Sequence, residues 1–86
     1  MTDNEKLELR SLLKQNLTAV GDDKDFSDDA SLFISGRLDS LAMTNLVLYL
    51  EKEFNVDFAT LDFDVDLIDS VNDIMELVNA HAMKSA

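Results

Sequence analysis

This sequence contains very little of the chemistry that forms tight turns or cross-links. Its 86 residues include no cysteine, no proline and no tryptophan, and only two glycines. Without cysteine the chain has no disulfide and no thiolate ligand for a metal ion, so an apolar core must stabilise it. Tight connections between strands usually need glycine, proline or asparagine-glycine pairs. The scarcity of these residues predicts an all-α architecture.

Positive charge is also scarce, because 7 Lys and Arg stand against 18 Asp and Glu and leave a net charge of −11. Nucleic acids and anionic membranes attract basic proteins, so neither is expected as a partner, and a basic protein surface is the natural complement. No apolar run reaches the roughly 18 residues of a membrane-spanning helix. The N-terminus lacks the features of a signal peptide, so we expect a cytoplasmic protein.

Apolar residues make up 47% of the chain, which is enough for one core in a single domain spanning residues 1–86. Three segments space these residues as amphipathic helices do. The first runs from residue 3 to about 20, and the second covers residues 40–54. The third begins at Ser70, and residues 84–86 are expected to fray beyond it.

Two connecting segments complete the predicted fold. Residues 21–38 are polar and aperiodic, and Phe26, Leu32 and Phe33 are expected to pin this long loop onto the helices. The later connection is interpreted as an extended loop with a brief helix near residues 62–67. The prediction is therefore an all-α four-helix bundle, with three main helices, a short third helix and a long loop between helices 1 and 2.

The run Leu38-Asp39-Ser40-Leu41 lies where the second predicted helix begins. Either Asp39 or Ser40 is suited to cap that helix, and the tripeptide by itself indicates no more than a cap. A serine at a helix N-terminus is exposed and lies next to free backbone N–H groups. An anion attached to it would be stabilised by the helix N-terminus.

The surroundings of this tripeptide carry more information. Over essentially its whole length, and most strongly over residues 31–41 and 46–54, the chain resembles the acyl carrier protein family. The resemblance implies that Ser40 receives 4′-phosphopantetheine from coenzyme A through a phosphopantetheinyl transferase. It also implies a carrier rather than an enzyme, with no catalytic residue of its own. Such a carrier tethers acyl or aminoacyl intermediates as thioesters and delivers them to partner enzymes.

The helix start departs from one branch of the family. Carriers of fatty acid synthesis usually have carboxylates in the first turns of this helix, whereas residues 42–45 here are Ala-Met-Thr-Asn. Arg37 adds a positive charge shortly before Ser40. The spacing of residues 32–40 is similar to that of carriers loaded by adenylating ligases, including D-alanyl and other aminoacyl carriers. We therefore expect a specialised carrier rather than one of housekeeping fatty acid synthesis.

In the resembled family, the second helix also docks the transferase, the acyl- or aminoacyl-loading ligase and the acyl-processing enzymes. Helical spacing places several residues on or beside the face that carries Ser40. The predicted partner-binding residues are Asp39, Leu41, Met43, Thr44, Val47, Leu48 and Glu51. For Val47 and Leu48 the alternative is burial in the core. We expect the protein to be a monomer.

The sequence also leaves two alternatives to a carrier. Asp62, Asp64 and Asp66 have the spacing that opens a calcium loop, but that loop needs Gly at its sixth position and Glu at its twelfth. Leu67 and Asp73 occupy those positions, so no metal ligand is predicted. A small acidic helical interaction module, or a calcium-binding domain without a prosthetic group, remains the alternative.

The only histidine, His81, lies far along the chain from Ser40. A general base must reach hydrogen-bond contact with the hydroxyl that it activates. We therefore interpret His81 as a surface residue of the last helix rather than as a catalytic base.

Overall fold

A computed structural model describes residues 1–82, and it consists of helices joined by irregular segments. The elements are α1 (Asp3–Ala19), α2 (Ser40–Phe54), one turn of 3₁₀ helix (Val65–Leu67) and α3 (Val71–His81). The all-α prediction and the long loop between the first two helices are confirmed. The predicted brief third helix is a single 3₁₀ turn, and the expectation for residues 84–86 lies outside the described residues.

The helices begin and end where their local sequence predicts. At the start of α1, the Thr2 hydroxyl accepts from the Glu5 N–H at 3.2 Å, and the Glu5 carboxylate accepts from the Thr2 N–H at 2.8 Å. This reciprocal pair satisfies two N–H groups that the helix itself cannot. At the other end Gly21 has a φ of 83°, and its N–H donates to the Thr18 carbonyl at 3.0 Å. Glycine adopts this left-handed conformation without strain.

Local residues also set the end of α2 and the start of α3. Asn55 closes α2 with a φ of 54°, a left-handed conformation that asparagine tolerates. Ser70 caps α3 by accepting from the Asp73 N–H at 3.1 Å, and its hydroxyl donates to the Asp73 carboxylate at 2.8 Å. Beyond α3, Ala82 forms an isolated antiparallel bridge with Val56. The two segments that leave α2 and α3 are thereby joined.

One face of each helix supplies the core, as the apolar spacing predicts. Its completely buried side chains come mainly from Leu9, Leu13 and Leu17 of α1, Leu46 and Leu50 of α2, and Val71 and Ile74 of α3. Phe26, Leu32 and Phe33 are also buried, which confirms that the long loop is pinned to the helices. In the part of the chain that the structure describes, no helix has the length and apolarity needed to cross a membrane.

Arg10 of α1 fixes the first half of that loop. Its guanidinium donates to the Asp28 carboxylate at 2.6 Å and to the Phe26 carbonyl at 2.7 Å. It also lies over the Phe26 ring, 4.4 Å from the ring centroid. A planar guanidinium can form the two hydrogen bonds and the ring contact together, which a lysine ammonium cannot.

Asp69 fixes the second half of the loop from the entrance to α3. The residue is only 8% exposed, and one carboxylate oxygen accepts from the N–H groups of Phe33 and Ile34, both at 2.8 Å. Its carbonyl accepts from the Leu32 N–H at 2.8 Å. Burial alone raises the pKa of Asp69, but hydrogen bonds from the Ser31 hydroxyl and from these backbone N–H groups outweigh burial and hold that pKa below its ordinary value.

We predict that Asp69→Asn lowers the free energy of unfolding at neutral pH by about 1–3 kcal/mol, because the amide oxygen is a weaker acceptor for two buried N–H groups. The folded-state pKa lies below the ordinary 3.8. The carboxylate's contribution is therefore present above that pH and is lost as the pH falls through the lowered pKa. The difference between wild type and variant should narrow in strong acid.

Urea unfolding at neutral and at acidic pH measures this difference. Asp23→Asn is the matched control, since Asp23 is an exposed aspartate of the same loop. We expect the control to change stability by less than about 0.5 kcal/mol. Equal effects of the two substitutions would show that the Asp69 carboxylate does not hold the loop.

Candidate functional site

Ser40 is the first residue of α2, and its side chain is exposed. Asp39 precedes it in extended backbone conformation and caps the helix, accepting from the Ala42 N–H at 3.0 Å. The sequence left the cap open between Asp39 and Ser40, and the structure assigns it to Asp39. The Ser40 hydroxyl is therefore not used to end the helix. Within residues 1–82 no hydrogen bond engages it.

The helix N-terminus beside this hydroxyl favours an anion. Asp39 accepts from the N–H of Ala42 through its side chain and from the N–H of Met43 through its carbonyl. The first two N–H groups of α2, on Ser40 and Leu41, lie outside the helical hydrogen-bond ladder. The first turn of α2 contains no acidic residue. A phosphodiester on the Ser40 oxygen would lie in the positive end of the helix dipole, so the residues present fit such a group.

The backbone just before Ser40 is held from several directions. Leu38 is buried, and its N–H donates to the Leu32 carbonyl at 2.7 Å. Gly36 has a φ of 84°, and its N–H donates to the Phe33 carbonyl at 3.0 Å. Because Phe33 is in turn bonded to Asp69, the approach to α2 is tied to the start of α3. The residues that lead into Ser40 are thus held in place by hydrogen bonds to the rest of the fold.

The Arg37 guanidinium is paired with groups of the long loop. Its guanidinium donates to the Asp22 carboxylate at 3.0 and 3.3 Å and to the Lys24 carbonyl at 3.0 Å. The hydrogen bond from Arg37 lowers the pKa of Asp22. The sequence showed a cation three residues before Ser40 but not its partner. Asp22 largely neutralises that cation, so Arg37 adds little net charge at the site.

The predicted partner-binding residues divide into an exposed set and a partly buried set. Leu41 and Leu48 are 68% and 57% exposed, which excludes Leu48 from the core. Thr44 is exposed and its hydroxyl donates to the Ser40 carbonyl at 3.0 Å. The remaining positions are Asp39 and Glu51, which are exposed, and Met43 and Val47, which are half-buried. Met43 packs against the core cluster.

In the acidic segment after α2, aspartate side chains accept hydrogen bonds from nearby backbone N–H groups. Asp64 caps the 3₁₀ turn and accepts from the Asp66 N–H at 3.0 Å, while Asp57 accepts from the Ala59 N–H at 3.0 Å. Among residues 1–82, no three or more His, Asp or Glu side chains are arranged to hold a metal ion. His81 is exposed at the end of α3, beside a surface pocket lined in part by Asp73 and Glu76.

Sequence reasoning missed two residues that shape the site. Asp69 was not singled out, although a lone acid in the apolar run Leu67-Ile68-Asp69 was a visible sign of a buried carboxylate. Asp22 belongs to the segment that was predicted to be a polar loop, and its pairing with Arg37 joins residues 15 positions apart. Neither the hydrogen bonds of Asp69 to the loop nor the ion pair of Asp22 with Arg37 follows from spacing along one helix or strand.

Comparison with known proteins adds a family to this geometry. A family model described as "Phosphopantetheine attachment site" matches residues 8–78, from the second turn of α1 into α3. The match covers more than three quarters of the chain. A comparison with curated proteins finds none that matches.

We predict that Asp39→Ala lowers the free energy of unfolding by about 1 kcal/mol, because it removes the acceptor of the Ala42 N–H. Asp39→Asn is the matched variant. It removes the charge but keeps an oxygen that caps helices about as well, so its effect should be much smaller. Thermal and urea unfolding measure both variants. If the two lose the same stability, the charge of Asp39 matters and the hydrogen bond to Ala42 does not.

Proposed function

Because this chain belongs to the phosphopantetheine attachment site family, we propose that Ser40 is the residue that carries the 4′-phosphopantetheine. Membership makes the chain a phosphopantetheine carrier domain rather than a catalytic one, and the group is bound covalently. The observation that carries the choice of Ser40 is its exposed, unbonded hydroxyl at the first position of α2.

The other serines of the described chain are less suited to the role. The hydroxyls of Ser27, Ser35 and Ser70 donate to oxygens of their own loops or caps. Ser31 accepts from the Ser35 N–H at 3.1 Å. Ser11 is exposed but lies in the middle of α1, where every neighbouring N–H belongs to the helical ladder. Ser40 alone among these combines exposure, a free hydroxyl and a helix N-terminus.

The residues of the chain hold the group without activating it. When attached, the group supplies a terminal thiol that carries an acyl cargo as a thioester, which a chain without cysteine cannot supply itself. The N–H groups of Ser40 and Leu41 stabilise the phosphodiester anion. No base contacts the Ser40 hydroxyl within residues 1–82, so a separate phosphopantetheinyl transferase must activate it.

The proposal extends to a specialised role. Carriers recognised mainly through acids early in α2 should differ from this chain, whose first turn has none and whose Arg37 is paired with Asp22. We infer a cytoplasmic monomer in which residues 1–86 form a single carrier domain. An adenylating ligase would load it with an acyl or aminoacyl group, and acyl-processing enzymes would receive that group through the exposed face of α2.

Incubation with coenzyme A and a broad-specificity phosphopantetheinyl transferase tests the site. We expect intact mass spectrometry to show the gain of one phosphopantetheinyl group, and Ser40→Ala to abolish it. Ser11→Ala is the matched control and should be modified like wild type, since Ser11 is also an exposed helical serine. A gain that persists in Ser40→Ala would place the attachment on another serine. No gain in wild type with an active transferase would refute the carrier function.

A further inference from the structure

A surface pocket of about 480 Å³ lies beside Ser40, on the side of the loop that precedes α2. Its lining residues come from the end of α1 and from the approach to α2: Val20, Asp22, Ser35, Gly36, Arg37 and Asp39. We call it the Arg37 pocket. Asp39 is the chain neighbour of Ser40, so their Cα atoms are about 3.8 Å apart. The pockets on α1 and around His81 contain no residue from positions 35–41. A group attached to Ser40 therefore begins at the edge of the Arg37 pocket.

Contacts within the chain hold the two sides of the Arg37 pocket together. The Arg37 guanidinium donates to the Asp22 carboxylate and to the Lys24 carbonyl, which ties the end of α1 to the segment before α2. On the same segment, no atom lies within 4 Å of the position that a Cβ would occupy on Gly36. Pockets that bind small molecules are usually preformed in this way and have volumes of roughly 300–1,000 Å³. The Arg37 pocket is therefore of a size suited to a small ligand.

The lining offers hydrogen-bond partners of both kinds and one apolar wall. Arg37 uses Nε and Nη2 in its contacts, and within residues 1–82 no acceptor contacts Nη1, which can still donate. Asp39 caps α2 through one carboxylate oxygen, and its other oxygen can accept. The Ser35 hydroxyl donates within its own loop, but its oxygen can also accept. The Val20 side chain is 50% exposed and supplies the apolar wall.

The charge of the pocket disfavours an anion as its ligand. Two aspartates and one arginine leave a net charge of −1 among the lining residues. The Asp22 carboxylate stays ionised at neutral pH, because the hydrogen bond from Arg37 lowers its pKa. A phosphate placed in the pocket would be repelled, whereas an uncharged amide would not. The lining therefore fits a polar ligand without negative charge.

We propose that the Arg37 pocket binds the pantetheine part of the group attached at Ser40, so that the arm folds back over the loop before α2. The proposal rests on the proposed attachment at Ser40. Beyond its phosphate, the arm contains two amides, a hydroxyl and two methyl groups on one carbon. Arg37 donates to an amide carbonyl, and Asp39 or Ser35 accepts from an N–H or O–H group. Val20 contacts the methyl groups. The exposed side of α2 stays uncovered, because the lining residues all precede Ser40.

Isotope-filtered NMR of the modified protein tests this contact directly. The chain is labelled with ¹³C and ¹⁵N, and a phosphopantetheinyl transferase attaches an unlabelled group from coenzyme A. We expect nuclear Overhauser contacts between the methyl groups of the arm and those of Val20. Leu7 is the internal control, since it is an apolar residue of α1 that is 63% exposed and does not line the pocket. The arm should show no contact with Leu7.

Truncation of Val20 measures the contribution of the apolar wall. Val20→Ala should lower the ratio of bound to free arm by about five- to tenfold, because two methyl contacts are lost. Leu7→Ala is the matched control and should change this ratio by less than about twofold. The amide chemical shifts of Ser35 and Gly36 report the ratio. Each modified variant is compared with its own unmodified form, so that an effect of the substitution on the fold cancels.

The salt dependence of the same ratio tests the nature of the ligand. Raising the salt from about 0.05 to 0.5 M shortens the screening length severalfold. The ratio should change by less than about twofold, because the part of the arm that enters the pocket is uncharged. A ratio that falls steeply with salt would instead show that the arm is held through its phosphate, and the proposal would be wrong.

Three further results would overturn the proposal. One is a complete gain of mass without any contact between the arm and Val20. Another is a set of contacts from the arm to α2 and α3 in place of Val20, because the arm would then lie on the other side of Ser40. The third is a Val20→Ala variant whose ratio changes no more than that of Leu7→Ala. Failure of the proposed function is distinct, since wild type would then gain no mass or Ser40→Ala would still gain it.

Discussion

The geometry around Ser40 depends on the hydrogen bonds that the buried Asp69 carboxylate accepts from the loop before α2. Two backbone N–H groups of that loop donate to this carboxylate, and the backbone of Asp69 leads directly into α3. A buried anion is costly unless hydrogen bonds satisfy it, and here the loop supplies them. One side chain therefore fixes the approach to Ser40 relative to α3, and the loop can lack regular secondary structure and still be rigid.

Lys and Arg are distributed unevenly along the chain. Between Glu53 and Ala82 there is no Lys or Arg, whereas the exposed residues of α2 include one Lys and two Glu. In the first half of the chain, Lys6, Arg10 and Arg37 are paired with aspartates of the long loop. Three of the seven Lys and Arg residues thus help to order that loop, whereas residues 55–82 contain seven acids and no Lys or Arg. Asp39, which lies next to Ser40, is itself exposed, so the site carries an acid of its own.

The helices could be predicted from sequence because each depends on local patterns. The apolar spacing of α2 and the left-handed residue Asn55 give its bounds as residues 40–54, which agree with the structure. Ser40 could be singled out because a helix start is a local feature and because the family resemblance covers it. The contacts that hold the site could not be predicted. Asp69 and Phe33 are 36 positions apart, and only tertiary packing brings them together.

Arg10 illustrates the same limit within a well-predicted helix. Its position on the polar side of α1 was predictable, but the loop fold that presents Asp28 and Phe26 to its guanidinium was not. Likewise, the exposed fraction of Leu48 depends on how α2 packs, which periodicity leaves open because the helix has more apolar positions than it can bury.

The fork made by Arg10 has a consequence for recombining this fold with related carriers. Lys6 and Arg10 of α1 both bind Asp28, and Arg10 also binds Phe26, so α1 and the first half of the long loop form one cooperative block. A chimera that exchanges α1 alone would leave Asp28 without its ion pairs and Phe26 without its contact to Arg10. Productive crossover points therefore lie after Asp28 and not at the end of α1. Such chimeras inherit or lose the loop as a unit.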